Sequence, residues 1–180
     1  VAHAHANGVI HRDIKPGNIL LSGRHAFVTD FGIARAIASA AGDAQLTMSG
    51  IAIGTPAYMA PEQASGAYET SPSVDIYQAG LVMYEMLAGR LPFPAGSAHE
   101  VLRARMSSDP LPLVCDAAPP GLVSLIMRCI ARDPAQRPAS AETVLAAIDD
   151  AYKVRVTAEP ARLLRRQSVR AAIYIVAALG

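Results

Sequence analysis

Apolar residues between Val74 and Leu87 fall on nearly every face of a helical wheel: Val74, Ile76, Tyr77, Leu81, Val82, Met83, Met86 and Leu87. A helix patterned this way is buried on all sides, and Gly89 just beyond supplies a stop. Leu122, Leu125, Ile126, Cys129 and Ile130 repeat at the i, i+3, i+4, i+7, i+8 spacing of a helix with one buried face. Ser140, followed by Glu142 and Thr143, opens another helix with Val144, Leu145 and Ile148 facing inward. Ser97 to Met106 reads as a shorter, more polar helix, and Val1 to Asn7 as the end of one that Gly8 stops. Only one region has strand character. Ile19–Leu21 and Ala26–Thr29 flank a Ser22-Gly23-Arg24 turn and predict a small hairpin. The chain is therefore expected to be mainly α, with a single β-hairpin and no internal repeat.

Two stretches break the pattern. Residues 38–50 are small and polar with two glycines and no period, as suits a loop. From about Lys153 the chain turns basic, through Arg155, Arg162, Arg165, Arg166 and Arg170, and ends in the uncharged run 171–180. That divides the chain into a globular unit at 1–150, a basic linker at 151–170 and an apolar tail at 171–180. The tail is half the ~20 residues a membrane span requires. It fits either the first turns of a transmembrane helix with cytoplasmic arginines or a terminal helix packed on the globular unit or on a partner. Both readings stay open.

With 180 residues and 52% hydrophobic content, the chain is long and apolar enough for one real core. A net charge of +1 argues against a nucleic-acid surface, and no zinc or DNA-binding spacing occurs. Cys115 and Cys129 lack metal-ligand spacing and are expected to be reduced thiols. His3 and His5 lack the further ligands a metal site would need.

Candidate chemistry gathers near the start. His11-Arg12-Asp13-Ile14-Lys15-Pro16-Gly17-Asn18 places an Asn five residues after an Asp, with a Lys between them. Phosphoryl transfer asks a protein mainly to position groups and to neutralise charge. Asp13 can accept a proton from an attacking hydroxyl, Asn18 can help hold Mg²⁺, and Lys15 can reach a phosphate as a mobile point charge. The hairpin that follows ends at Asp30-Phe31-Gly32, with a second potential Mg²⁺ ligand and a glycine suited to an unusual turn. Gly54-Thr55-Pro56-Ala57-Tyr58-Met59-Ala60-Pro61-Glu62 closes the segment.

These three motifs in this order make residues 1–150 resemble the carboxy-terminal lobe of a eukaryotic-type (Hanks-type) protein kinase. Lys15 and the Gly54–Tyr58 string resemble the serine/threonine branch. Pro16-Gly17-Asn18, with an Ala-rich, Trp-free composition, resembles the bacterial members. The resemblance implies ATP with Mg²⁺ (or Mn²⁺) as cofactor and protein substrates with Ser or Thr acceptors. It implies Asp13 as catalytic base, Asn18 and Asp30 as metal ligands, and Lys15 and Thr55 as the pair around the base. It further implies a Glu62–Arg137 ion pair, Asp75 anchoring the catalytic loop from below, and Leu20 as the floor under the adenine. Lys15, Asn18, Leu20 and Asp30 would then all face the nucleotide. His11, Phe31 and Gly32 belong to the structural frame of the site. A small-molecule kinase shares part of this logic, but Ala60-Pro61-Glu62 and the Thr55 loop are protein-kinase features.

Within these residues there is no glycine-rich loop, no strand Lys of the V-A-I-K type and no helix Glu to pair with it. The resemblance thus implies part of a longer chain, lacking the amino-terminal lobe, whose isolated remainder transfers little phosphate. Its kinase domain is expected in the cytoplasm, with a single-span membrane anchor in the parent if the tail starts a span. A non-catalytic docking module built on the same lobe is the alternative. The face around Leu20, Phe31 and His11, which would meet the missing lobe, is expected to be partly apolar and exposed. Arg12, directly before the base, implies control by activation-loop phosphorylation, with Thr47 and Ser49 as acceptors. Mass spectrometry of active full-length protein should find phosphate on Thr47 or Ser49; neither modified would refute that control.

Overall fold

The computed structural model describes residues 1–23, 25–31, 56–65, 71–93 and 96–158. Among them run α1 (Ala2–Ala6), β1 (Ile19–Ser22), β2 (His25–Val28), α2 (Pro61–Ala64), α3 (Ser73–Ala88), α4 (Ala98–Ser107), α5 (Pro120–Cys129) and α6 (Ala141–Ala158). Single 3₁₀ turns at Pro16–Asn18, Pro56–Tyr58 and Pro134–Gln136 punctuate the connections. Among the described residues the predicted mainly α architecture with one hairpin is the architecture observed.

The core is built on α3. Every residue from Val74 to Tyr84 is buried, as a helix without a polar stripe must be. From Glu85 to Ala88 the burial is partial, so the predicted all-round burial fades in the last turn. Gly89 then closes the helix with φ 71° and its amide on the Glu85 carbonyl at 2.7 Å. α5 packs across α3 and α6 packs on α5. The inner face of α5 is Leu122, Leu125, Ile126 and Cys129, the residues its spacing predicted. Val144 and Ile148 of α6 are buried, while Leu145 is half-buried.

Local chemistry sets the helix ends. Ser97 accepts the Glu100 amide, and Glu100 Oε2 accepts the Ser97 amide at 2.7 Å, a reciprocal cap for α4. Ser140 Oγ accepts the Thr143 amide at 3.2 Å at the start of α6. Gly8, with φ 73°, ends α1 and donates its amide to the His5 carbonyl at 2.9 Å. α6 continues to Ala158, so the first residues of the 151–170 stretch are helical; residues 159–180, including the apolar tail, lie outside the described residues. Among the described residues no helix is long and apolar enough to cross a membrane.

The hairpin pairs Ile19 with Val28, Leu20 with Phe27, Leu21 with Ala26 and Ser22 with His25. Ile19, Val28 and Ala26 lean on the core. The opposite face leaves Leu20 58% and Phe27 54% exposed, and Phe31 just beyond is 40% exposed. His11 does not join that face, contrary to expectation. It is 1% exposed, because its ring fills the space beneath the hairpin end and bonds there.

Both cysteines are free. Burial inside α5 pushes the Cys129 thiol up to about 12. Cys129 also marks a close contact between helices. A Cβ placed on Gly80 would stand 2.7 Å from Cys129 Cβ and 2.8 Å from Ile130 Cγ2, so α3 and α5 approach this closely only because residue 80 has no side chain. Gly80→Val is expected to destabilise the fold by about 1–3 kcal/mol through overpacking. A urea midpoint at or above that of the wild type would contradict this account.

Candidate active site

The segment His11–Asn18 has no ladder partner of its own, so its peptide groups need bonds from elsewhere. Asp75, in the first turn of α3 and fully buried, supplies two of them. Its Oδ2 accepts the His11 amide at 2.8 Å and its Oδ1 the Arg12 amide at 2.7 Å. His5 Nε2 donates to the same carboxylate at 2.8 Å, which ties α1 to the anchor. A buried carboxylate without such donors would cost several kcal/mol. Here it instead fixes a loop in which Arg12 takes φ 69°, a left-handed conformation rare outside glycine.

His11 links the loop to the hairpin. The Asp13 amide donates to its Nδ1 at 3.2 Å, so the proton lies on Nε2, which donates to the Thr29 carbonyl at 2.7 Å. Its ring meets Phe31 edge-on with centroids 4.6 Å apart. Beneath them Ile14 is buried as a plug. With backbone and plug fixed, the polar side chains point the other way.

Asp13, Lys15 and Asn18 converge. Asp13 Oδ2 accepts Lys15 Nζ at 2.7 Å and Asn18 Nδ2 at 3.1 Å. Asn18 Nδ2 also donates to the Asp13 carbonyl at 2.8 Å. The side chains of Lys15 and Asp13 remain 21% and 31% exposed, open to a substrate. Thr29 then ties in the Asp30-Phe31-Gly32 motif. Its amide donates to the Asn18 carbonyl at 2.9 Å, and its hydroxyl lies 3.3 Å from both that carbonyl and Asp30 Oδ2. Asp30 is exposed and has φ 64°, the kind of strain that persists where surroundings impose it.

The donor set suits a hard divalent cation. Asn18 commits its amide nitrogen to Asp13, which leaves the amide oxygen as its metal-binding atom, and Asp30 offers a carboxylate. Mg²⁺ accepts oxygen ligands and takes one or two from protein when phosphates supply others. Among the described residues no group of three His, Cys, Asp or Glu could hold a metal alone. Leu20, the predicted adenine floor, lies on the exposed hairpin face. Thr55, Gly32, Thr47 and Ser49 lie outside the described residues.

A second set of bonds seats the segment after Thr55. Glu62 and Arg137 form a two-pronged ion pair, with Nη1–Oε1 at 2.6 Å and Nη2–Oε2 at 2.9 Å. Arg137 also donates to the carbonyls of Ala131, Ser73 and Arg132 and lies over the Tyr77 ring at 4.7 Å. Three features here were not foreseen in the sequence. Arg105 of α4, 1% exposed, donates Nη1 to the Met59 carbonyl at 2.7 Å and Nη2 to that of Ala57. Tyr58 donates its hydroxyl to Glu85, and burial together with that carboxylate pushes the phenol well above its ordinary range. Gln78 and Gln63 bond to each other and to the loop. Gln78 had a readable signal, since a polar residue amid the apolar run 74–87 must find a partner if buried.

Glu62→Ala leaves Arg137 charged, with no side-chain exposure and no carboxylate. Removing one partner of a buried pair costs about 3–5 kcal/mol. Glu62 is 17% exposed on its side chain, which favours the lower end. Thermal and urea unfolding of Glu62→Ala should show that loss; a change under about 1 kcal/mol would assign the pair to the weak surface class.

Comparison with known proteins agrees with this geometry. The protein kinase domain family matches residues 1–147. The chain is 44% identical over 163 residues to serine/threonine-protein kinase PkaA of Streptomyces coelicolor, covering 88% of this chain and 27% of that protein. It is 40% identical over 162 residues to serine/threonine-protein kinase pkn2 of Myxococcus xanthus, covering 84% and 19%. It is 42% identical over 135 residues to serine/threonine-protein kinase PknA of Mycobacterium tuberculosis, covering 74% and 30%. The chain thus spans a third or less of the length of each of these relatives. On its motifs, its lobe and these matches, the chain belongs to the protein kinase family, as the mainly helical lower lobe of the type found in bacterial serine/threonine kinases.

Proposed function

We propose that this lobe supplies the base and metal-ligand half of an enzyme that transfers phosphate from ATP to serine and threonine hydroxyls of proteins. The observation that carries this reading is the convergence of Lys15 Nζ and Asn18 Nδ2 on Asp13 Oδ2, at 2.7 Å and 3.1 Å. Asp13 accepts the proton of the attacking hydroxyl, and its two neighbours fix the carboxylate for that approach. Lys15 carries a mobile positive charge beside the base, within reach of a phosphoryl group as it transfers. Asn18 and Asp30 hold Mg²⁺ or Mn²⁺, which neutralises phosphate charge when bound. Leu20 offers an exposed apolar surface for the adenine.

The groups that cover the ATP phosphates in this chemistry are a glycine-rich loop and a paired Lys and Glu. None occurs in the 180 residues, so we infer that residues outside this sequence provide them. The relatives, three to five times as long as the matched stretch, leave ample length for such segments. Phosphorylation at Thr47 or Ser49 would find a cation in Arg12, whose Nε is buried without a hydrogen-bond partner among the described residues.

The test is phosphate transfer from ATP to a protein substrate by the complete gene product, followed by phospho-amino-acid analysis. Wild type should yield phosphoserine or phosphothreonine. Asp13→Asn should be about 10²–10⁴-fold slower, the usual contribution of a general base. Residues 1–180 alone should transfer little. An unchanged rate in Asp13→Asn, or phosphotyrosine as the product, would overturn the assignment.

A further inference from the structure

Gln78 lies on α3 three residues after Asp75, on the same face, and is 2% exposed. A buried carboxamide has one oxygen and two N–H groups to satisfy. Gln78 satisfies them on the peptide groups that bracket the base. Its Oε1 accepts the amide of Ile14, directly after Asp13, at 2.8 Å. Its Nε2 donates to the carbonyl of Arg12, directly before Asp13, at 2.9 Å. The remaining N–H goes to Gln63 Oε1 at 3.0 Å. Swapping oxygen and nitrogen on Gln78 would set oxygen against the Arg12 carbonyl and N–H against the Ile14 amide, so the network fixes its orientation.

Gln63 extends the connection. It stands on α2, next to Glu62 and its ion pair. Its Oε1 also accepts the Ala60 amide at 2.9 Å, and its Nε2 donates to the Arg12 carbonyl at 3.0 Å. The Arg12 carbonyl thus receives two amide donors from two different elements. Arg12 is the residue with φ 69°, and strain of that kind persists only where its neighbours over-determine it. Asp75 fixes its amide and the two glutamines fix its carbonyl. The direction in which the Asp13 side chain leaves the backbone follows from these constraints.

We propose that Gln78 and Gln63 are positioning residues that hold the Asp13 base through the peptide groups on either side of it, and that they make its orientation depend on how residues 56–63 are seated. The chain from Pro56 to Ala60 is itself gripped by Arg105 at the Ala57 and Met59 carbonyls. Movement of that segment would release the Ala60–Gln63 bond, then the Arg12 carbonyl, and so reach the base. This inference rests on the kinase reading above and deepens it. Neither glutamine touches ATP or the acceptor in it, so their removal should act on turnover rather than on nucleotide affinity.

The experiment uses the complete gene product with Gln78→Met, Gln63→Met and the double variant, beside wild type and Asp13→Asn. Calorimetric titration of ATP counts the folded sites, and kcat is expressed per site, which removes any loss due to unfolding alone. Gln78→Met should lower kcat about 10–100-fold, the scale of an ångström-size misplacement of a reacting group, with KM for ATP within about twofold of wild type. Gln63→Met should fall in the same direction by less. The double variant should be no slower than Gln78→Met by more than about twofold, because the two side chains act as one network. Should Gln78→Met fail to fold, the half-buried Gln63 position carries the same test. Per-site kcat within twofold of wild type in the folded variants, or a loss confined to KM, overturns the bridge while the function stands. An inactive wild type overturns the functional reading and this proposal with it.

Discussion

A single fully buried carboxylate organises this lobe. Asp75 lies inside the first turn of α3 with no access to water, and its charge is tolerable only if N–H groups surround it. His5 and the consecutive amides of His11 and Arg12 are those groups. The dependence runs both ways, since residues 11–14 of the loop lie in no strand or helix that could hold their peptide groups. Helix and loop therefore fix each other. Ile14 is driven into the core beneath them, and Asp13 and Lys15 emerge on the open side with the buried Asn18 bonded to Asp13.

The same logic recurs with the sign reversed. Arg137 and Arg105 are buried cations, and each is surrounded by oxygen acceptors from helix ends and irregular chain. Arg137 takes the Glu62 carboxylate and three backbone carbonyls. Arg105 takes the carbonyls of Ala57 and Met59. A lobe with so much non-repetitive backbone leaves many carbonyls without ladder partners. Guanidinium groups, with five donors in a fixed fork, satisfy several at once. Loop geometry here is thus set by a few buried ionic side chains, Asp75 on α3, Arg105 on α4 and Arg137 just after the Pro134–Gln136 turn, and the rigidity of α3 passes into the site through Asp75.

Much of this was legible in the sequence, for reasons of local physics. Apolar residues on nearly every face of 74–87 required a buried helix, and the spacing of Leu122 to Ile130 required a helix with one buried face. Alternation of strand and turn residues located the hairpin. Asp13, Asn18 and Asp30 were singled out because the roles proposed for them in phosphate chemistry demand fixed residue types at short separations. The sequence also anticipated Glu62 beside Arg137 and Asp75 beneath the loop, but only through resemblance, since nothing local links residues so far apart. His11 was expected on the exposed face that would meet an amino-terminal lobe, whereas its ring turns inward to the Thr29 carbonyl and the edge of Phe31.

By itself, then, the sequence determined the elements and the chemical inventory, since both depend on residues close together along the chain. Only the tertiary structure decided which distant groups satisfy one another. Gln78, a polar residue in an apolar helix, could be read as needing a partner, yet nothing in the chain said that the partners would be the peptide groups on both sides of Asp13. Buried polar groups must be paired, but the identity of the pair is fixed by packing across the core. In this protein packing sends the demands of Asp75 and Gln78 to the irregular backbone around Asp13, and that of Arg137 to Glu62 and the carbonyls of Ser73, Ala131 and Arg132.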